Sequence, residues 1–219
     1  MSTSRPSPAR KDGPAPRNAR DRLLEAAVKL VREQGFAGTS VEQLCTEAGV
    51  TKGAFFHHFA SKEALGIAVA EHWTQTTSQL FAQAPYHQHD NAVDRVLGYI
   101  DFRIAIVGGP VEQFSCVAGT LIQETFRISP AIRDACRNSI MGNAHALEAD
   151  IAEAMADRGV TGTTAASLAR HIQTVIQGSI ILAKTQEETG SAELAREALG
   201  HLRRYFEFLF ISPRQESAS

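Results

Sequence analysis

Between Thr39 and Glu63 the chain gathers hydroxyl, ammonium and imidazole groups where helix ends would present them. Their chemistry suits the oxygens of a phosphate backbone. Thr39, Ser40 and Thr51 carry hydroxyls beside helix starts, where backbone N–H groups lack an intrahelical partner. Lys52, His57 and Lys62 add side-chain donors. Gly53 has no side chain, so the backbone there can come close to a groove wall or a thymine methyl. A blander role for the three hydroxyls is helix capping, which is compatible with the first. His57 and His58 are adjacent on a helix and point about 100° apart, so one faces such a ligand and the other packs.

A helix-turn-helix pattern positions these groups. Thr39 has Glu42 three positions on and Ser40 has Gln43, so either can open the first helix with a capping box. Val41, Leu44, Cys45 and Ala48 fall on one face, Gly49 breaks the helix, and Val50 anchors the turn. Thr51 caps a second helix whose first turn is Lys52-Gly53-Ala54 and whose apolar side is Phe55, Phe56 and Phe59. In such a unit the second helix is presented to the DNA major groove. The pattern by itself has low specificity, because paired helices are common in proteins that never meet DNA. Its setting is more specific. A helical run from Asp21 to Gln34 precedes it, with Leu23, Leu24, Ala27, Leu30 and Val31 as an apolar stripe. Ser61 opens a long helix after it, running to about Ala82.

The segment from about Arg20 to Leu65 resembles the TetR family of bacterial transcriptional repressors. The family's pieces stand in order: Gly35-Phe36, Thr39-Ser40-Val41, the Ala48-Gly49-Val50 turn, Lys52-Gly53, and Phe59 followed by Ser61-Lys62-Glu63. The resemblance implies an all-α protein with an N-terminal three-helix DNA-binding domain and a larger helical domain for ligand binding and dimerisation. Together with the groups above it gives Thr39, Ser40, Thr51, Lys52, Gly53, Phe56, His57 and Lys62 as the DNA-facing set. Where the family usually has tyrosine in the recognition helix, this chain has Phe56 and His57. Phe56 lacks a hydroxyl that could bond a phosphate, and His57 stands at the groove-facing position.

The whole-chain charge of −2 conceals an asymmetry. Residues 1–64 hold ten Lys/Arg against seven Asp/Glu, and the remainder holds twelve against seventeen. The basic excess sits in Arg5, Arg10, Lys11, Arg17 and Arg20, with Asp12 alone opposing it. A basic end on an acidic body suits attraction of that end to phosphate, although a solvated tail carries the same signature. Residues 1–18, rich in Pro, Ser and Ala, cannot offset their ordering entropy and are expected to be disordered. Apolar content of 43% with 21% charged residues is that of a soluble globular chain. No apolar run approaches the roughly 18 residues that span a bilayer, and the N-terminus lacks a secretory h-region. Cys45, Cys116 and Cys136 lack CxxC spacing, so they form neither a disulfide framework nor a zinc site. A reducing cytoplasm is the expected compartment.

Beyond residue 64 the sequence reads as helices only, with no strand alternation and no repeat. The segment Pro85 to Asp90 reads as a loop, in which His87, His89 and Asp90 are better explained as solvated than as metal ligands. A helix follows from Asp90 or Asn91 to Gly108, then an apolar segment from Phe114 to Phe126. Three long helices are expected over about 131–158, 163–188 and 191–210, with Gly190 stopping the second of these and a frayed tail over 213–219. The domains are therefore expected at 19–64 for DNA binding and 65–212 for effector binding and dimerisation.

The last two helices, about 163–188 and 191–210, carry more apolar face than one packing partner requires. A helix that is apolar all round is buried, and a two-fold partner giving a four-helix seam is the simplest way to bury it. The resemblance likewise implies a homodimer carrying two heads to the half-sites of palindromic double-stranded operator DNA. It also implies a pocket for a small-molecule effector. Trp73, Phe102, Phe114, Phe126, Met141 and Ile176 are its candidate walls, and Gln123, His145 and Gln177 its candidate polar groups, although residue by residue core packing is the better explanation of such positions. Cys116 opens a predicted helix whose N-terminus can activate a thiol, and some TetR relatives sense electrophiles through a cysteine in this neighbourhood. A buried cysteine acting as a small hydrophobe is the commoner case. No catalytic or cofactor fingerprint is present: GxSxG, HExxH, the P-loop and the dinucleotide motif are all missing. The expected activity is ligand-responsive repression, with a helical adaptor lacking sequence-specific DNA binding as the alternative.

Overall fold

The computed structural model describes residues 18–211 and contains ten α-helices and no strand among them. The basic run from Arg5 to Arg17 and the tail over 213–219 lie outside the described residues. The helices are α1 (Ala19–Gln34), α2 (Val41–Ala48), α3 (Lys52–His58), α4 (Lys62–Ala82), α5 (Ala92–Ala105), α6 (Val111–Phe114), α7 (Val117–Thr125), α8 (Pro130–Arg158), α9 (Ala165–Ala183) and α10 (Glu188–Ile211).

Local chemistry sets most boundaries. Asn18, Ser40, Thr51, Ser61, Asn91, Ser129 and Thr164 each cap a helix by accepting a backbone N–H three residues on. Of the two registers open at α2, the structure takes Ser40, with the reciprocal Gln43 contact completing the capping box. Gly49 ends α2 at φ +60°, a left-handed conformation that a residue with a Cβ adopts only at a cost.

Some expected boundaries are corrected. The apolar run from Phe114 to Phe126 is broken at Ser115 and Cys116 into α6 and α7. The loop after α4 contains a 3₁₀ turn over Pro85–Gln88 that buries Tyr86, and the His87 ring nitrogen lies 3.0 Å from the Phe81 carbonyl. Helix α9 stops at Ala183, five residues before the expected end. The N–H groups of Thr185 and Gln186 fold back onto Leu182 and Ala183, and α10 restarts at Glu188. Gly190 therefore lies inside the first turn of α10. Its N–H donates to the Glu187 carbonyl at 3.0 Å, so the chain turns into the helix through this glycine without stopping at it.

Two apolar cores result. One joins α1, α2, α3 and the N-terminal half of α4 to Val117, Ala118 and Leu121 of α7 and to Ile132 and Cys136 of α8. The other joins the end of α4 and α5 to the rest of α8, α9 and α10. Arg95 of α5 reaches Asp150 and Glu153 of α8, each at 2.7 Å, and Arg203 of α10 pairs with Asp101 of α5. The small three-helix head is thus seated on α7 and α8.

Candidate functional site

Helix α3 has seven residues and buries only Phe55 completely. Phe59, its C-cap, is also buried, whereas Thr51, Lys52, Gly53, Phe56 and His57 are exposed. Half of the Phe56 surface faces solvent, an uncommon position for an aromatic ring on so short a helix. The His58 ring lies 5.0 Å from that of His57, edge to face, and is half-buried. The head thus presents the first turn and one side of α3 to solvent, with α1 and α2 packed behind.

The individual groups are less free than their sequence positions suggest. Thr39 is buried: its hydroxyl donates to the Gly35 carbonyl at 2.7 Å and accepts from the Gln34 amide at 3.2 Å. It locks the turn after α1, and its hydroxyl is withdrawn from the surface set. Ser40 and Thr51 remain exposed with their hydroxyls capping Gln43 and Ala54. The Lys52 ammonium lies 2.6 Å from Glu42 at the start of α2, and that hydrogen bond raises the lysine pKa and lowers the carboxyl's. The Lys62 ammonium sits 4.6 Å above the Phe36 ring and donates to the Ala37 carbonyl; partial burial lowers its pKa. The spacing of Glu42 and Lys52, one at each helix start across a tight turn, is the signal that could have revealed their pairing.

Three contacts tie this head to the body. The Ala37 N–H donates to the Glu124 carboxylate of α7 at 2.7 Å. The Ser129 hydroxyl, which also caps α8, donates to Glu63 in the first turn of α4. Arg32 of α1 lies over the Trp73 ring of α4 at 5.4 Å.

A cavity of about 370 Å³ opens where α1, α4, α5, α6, α9 and α10 converge. Three of the candidate walls, Trp73, Phe114 and Ile176, line it together with Phe81, Leu80, Ile180 and Leu199. Other candidates lie elsewhere. Phe102 faces a neighbouring, more open cavity beside Tyr86 and His89. Gln123 and Phe126 are exposed on or just after α7, where Gln123 donates to the Gly119 carbonyl. His145 is exposed and 2.8 Å from Glu148. Met141 is half-buried on α8, and Gln177 packs against Gly119. Gln123, Phe126, Met141, His145 and Gln177 do not line this cavity: α7 and α8 contribute nothing to its wall, and Gln177, although on α9, lies against Gly119 of α7.

Arg32 and Arg103 do line it and were not anticipated. The signal was a cation set into an apolar stripe, Arg32 beside Val31 and Arg103 between Ile100 and Ile104. Cys116 caps α7, its sulfur accepting the Gly119 N–H at 3.3 Å, and is half-buried. Cys45 and Cys136 are buried, and desolvation pushes the Cys136 thiol up to about 12.

Comparison with known proteins bears on both regions. Residues 23–69 match the family of bacterial regulatory proteins of the tetR type, and residues 92–197 match the C-terminal domain of LmrA/YxaF-like transcriptional regulators. The uncharacterized HTH-type regulator YerO of Bacillus subtilis is 37% identical over 54 residues, 25% of this chain and 19% of YerO. The HTH-type transcriptional repressor NemR of Escherichia coli is 34% identical over 82 residues, 37% of this chain and 41% of NemR. The match thus spans under half the length of either. LmrA of Bacillus subtilis, an HTH-type transcriptional regulator, is 26% identical over 78% of this chain and 89% of its own. The crystal structure of E. coli NemR in its reduced form has the same fold, with a TM-score of 0.72 at 24% identity over 85% of this chain and 95% of that one. No helix among the described residues is long and apolar enough to cross a membrane.

Proposed function

The chain belongs to the TetR family of DNA-binding transcriptional regulators, and from that premise we propose that it is a cytoplasmic, homodimeric repressor released from a palindromic operator by a small-molecule effector. The observation that carries this reading is α3, a short helix with a buried anchor behind and Lys52, Gly53, Phe56 and His57 in solvent. Residues 19–64 read DNA, and residues 65–212 bind effector and dimerise. The chain turns over no substrate in this reading.

Support for the dimer comes from Ile181 and Leu182 of α9 and Tyr205 and Phe208 of α10, large apolar side chains left exposed on two adjacent helices. A two-fold seam of four helices covers them. Release is a population shift. Effector favours a conformation of α4 in which the two heads no longer match successive major grooves, and its differential affinity for that state lowers DNA affinity. Glu124, Glu63 and Arg32 transmit that change, because each touches both head and body.

Lys52 supplies a test. Phosphate must displace Glu42 from its ammonium, so Lys52→Ala weakens binding to all sequences alike and lowers the salt slope by about one. Glu42→Gln does the opposite, freeing the lysine and removing a repelled carboxylate, and tightens binding by a few-fold, about the effect of one phosphate contact. Electrophoretic titration at several salt concentrations reads both. Unchanged slopes in the two variants would remove Lys52 from the interface.

The effector has an electrophilic alternative. The NemR structure is described as a reduced form, and among the three cysteines here Cys116 is the accessible one. Limited treatment with iodoacetamide is expected to label Cys116 well before Cys45 and Cys136, read by peptide mass. Operator release by quinone that persists in Cys116→Ser excludes the thiol as trigger.

A further inference from the structure

We propose that the cavity beside Trp73 takes a molecule with an apolar body and a single anionic head, a carboxylate or comparable oxyanion, held between Arg32 and Arg103. The proposal rests on the reading of this cavity as the effector site and adds the chemical class of the effector.

The walls are mostly apolar: Trp73, Phe81, Phe114 and Ile176 meet around a space of about 370 Å³, within the range of small-molecule pockets. The hydroxyls of Thr76, Thr77 and Ser179 in the lining donate to carbonyls of their own helices, with Gln113 at the rim. Two guanidinium groups interrupt them. Arg103 lies with its guanidinium carbon 4.2 Å from the Phe81 ring centre, and its Nε donates to the Tyr99 hydroxyl at 2.9 Å. Arg32 stacks on Trp73, and its buried Nε has no hydrogen-bond partner. Neither arginine forms an ion pair with a carboxylate among the described residues. Glu112 is near enough to be felt by Arg32 but remains beyond pairing distance.

A partly buried cation without a paired counter-charge is costly, and desolvation lowers the Arg32 pKa. Stacking on an aromatic face relieves part of that cost and leaves the in-plane donors open. Guanidinium donors in one plane fit the two oxygens of a carboxylate, and an apolar surround strengthens such a bond. Aromatic and aliphatic walls then cover the rest of the ligand. Arg32 also belongs to α1, the first helix of the head, so an oxyanion drawing on it acts on the DNA-binding head directly.

Trp73 is the one tryptophan of the chain and lines this cavity, so its fluorescence reports occupancy. Three probes of equal chain length separate charge from apolar affinity: decanoate, 1-decanol and decyltrimethylammonium, each titrated into the full-length protein below its aggregation limit. Decanoate is expected to bind about tenfold or more tighter than decanol, with the cation weakest, as charge-assisted bonding to a partly buried arginine requires. That preference is lost in Arg32→Gln, partly kept in Arg32→Lys, and reduced in Arg103→Gln, with circular dichroism confirming the fold of each. Equal affinity for acid and alcohol overturns the proposal. So does a preference that survives both glutamine substitutions, or no fluorescence response to any probe. Operator binding by the unliganded protein is measured in parallel, and its presence alongside any of those results leaves the regulator reading intact while removing the anionic effector.

Discussion

Phe208→Glu is expected to leave the protein folded but monomeric, and to reduce operator affinity by about a hundredfold or more through loss of two-headed engagement. Phe208 is 71% exposed in the single chain, so a carboxylate placed there meets water and costs the monomer little, within about 0.5 kcal/mol. In a two-fold seam the same carboxylate is stripped of water beside Tyr205 or its symmetry mate, a cost of several kcal/mol that the exposed Arg204, four residues back on α10, offsets only in part. Sedimentation velocity and thermal melting separate the two effects. A dimer that persists with unchanged DNA affinity would place the subunit contact elsewhere than α9 and α10.

Gly53→Ala is expected to cut operator affinity by about tenfold or more, while the free protein becomes as stable or more stable. A Cβ at Gly53 meets only the Thr51 hydroxyl oxygen, at 3.8 Å, so the fold has room for it. Alanine is also the better helix former, by up to about 1 kcal/mol in a helix interior and less in a first turn. Glycine is therefore not required by the head itself. In the complex, the added methyl occupies the space through which the backbone approaches the groove, and loss of one good base or phosphate contact is worth ~1–3 kcal/mol. Melting temperature and binding affinity moving in opposite directions identifies a residue retained for DNA. Affinity unchanged in Gly53→Ala would mean that the first turn of α3 stays away from the groove.

The head was legible in the sequence because its signals are local. Ser40 with Gln43, Gly49, Thr51 and Ser61 each act within four residues, and capping chemistry reads the same in any context. Thr39 differs because the group that claims its hydroxyl, the Gly35 carbonyl, belongs to a turn whose shape the sequence does not display. The cavity was only partly legible. Large apolar side chains mark Trp73, Phe114 and Ile176 as candidate walls, but six helices must converge before a wall becomes a pocket. The same limit hid Arg32, which sits on the head helix and reaches a space bounded by body helices. Gly190 shows the converse error: glycine was read as a stop, whereas the break lies in residues 184–187, where N–H groups turn back onto the end of α9.

Selection from a random duplex pool at near-physiological salt tests the central claim most directly, since that salt suppresses binding by charge alone. The account predicts recovery of an inverted repeat whose half-sites lie about one helical turn or a multiple apart, matching two α3 helices on a two-fold dimer. Recovery of nothing above background, from protein shown by mass spectrometry to carry no bound small molecule, contradicts it.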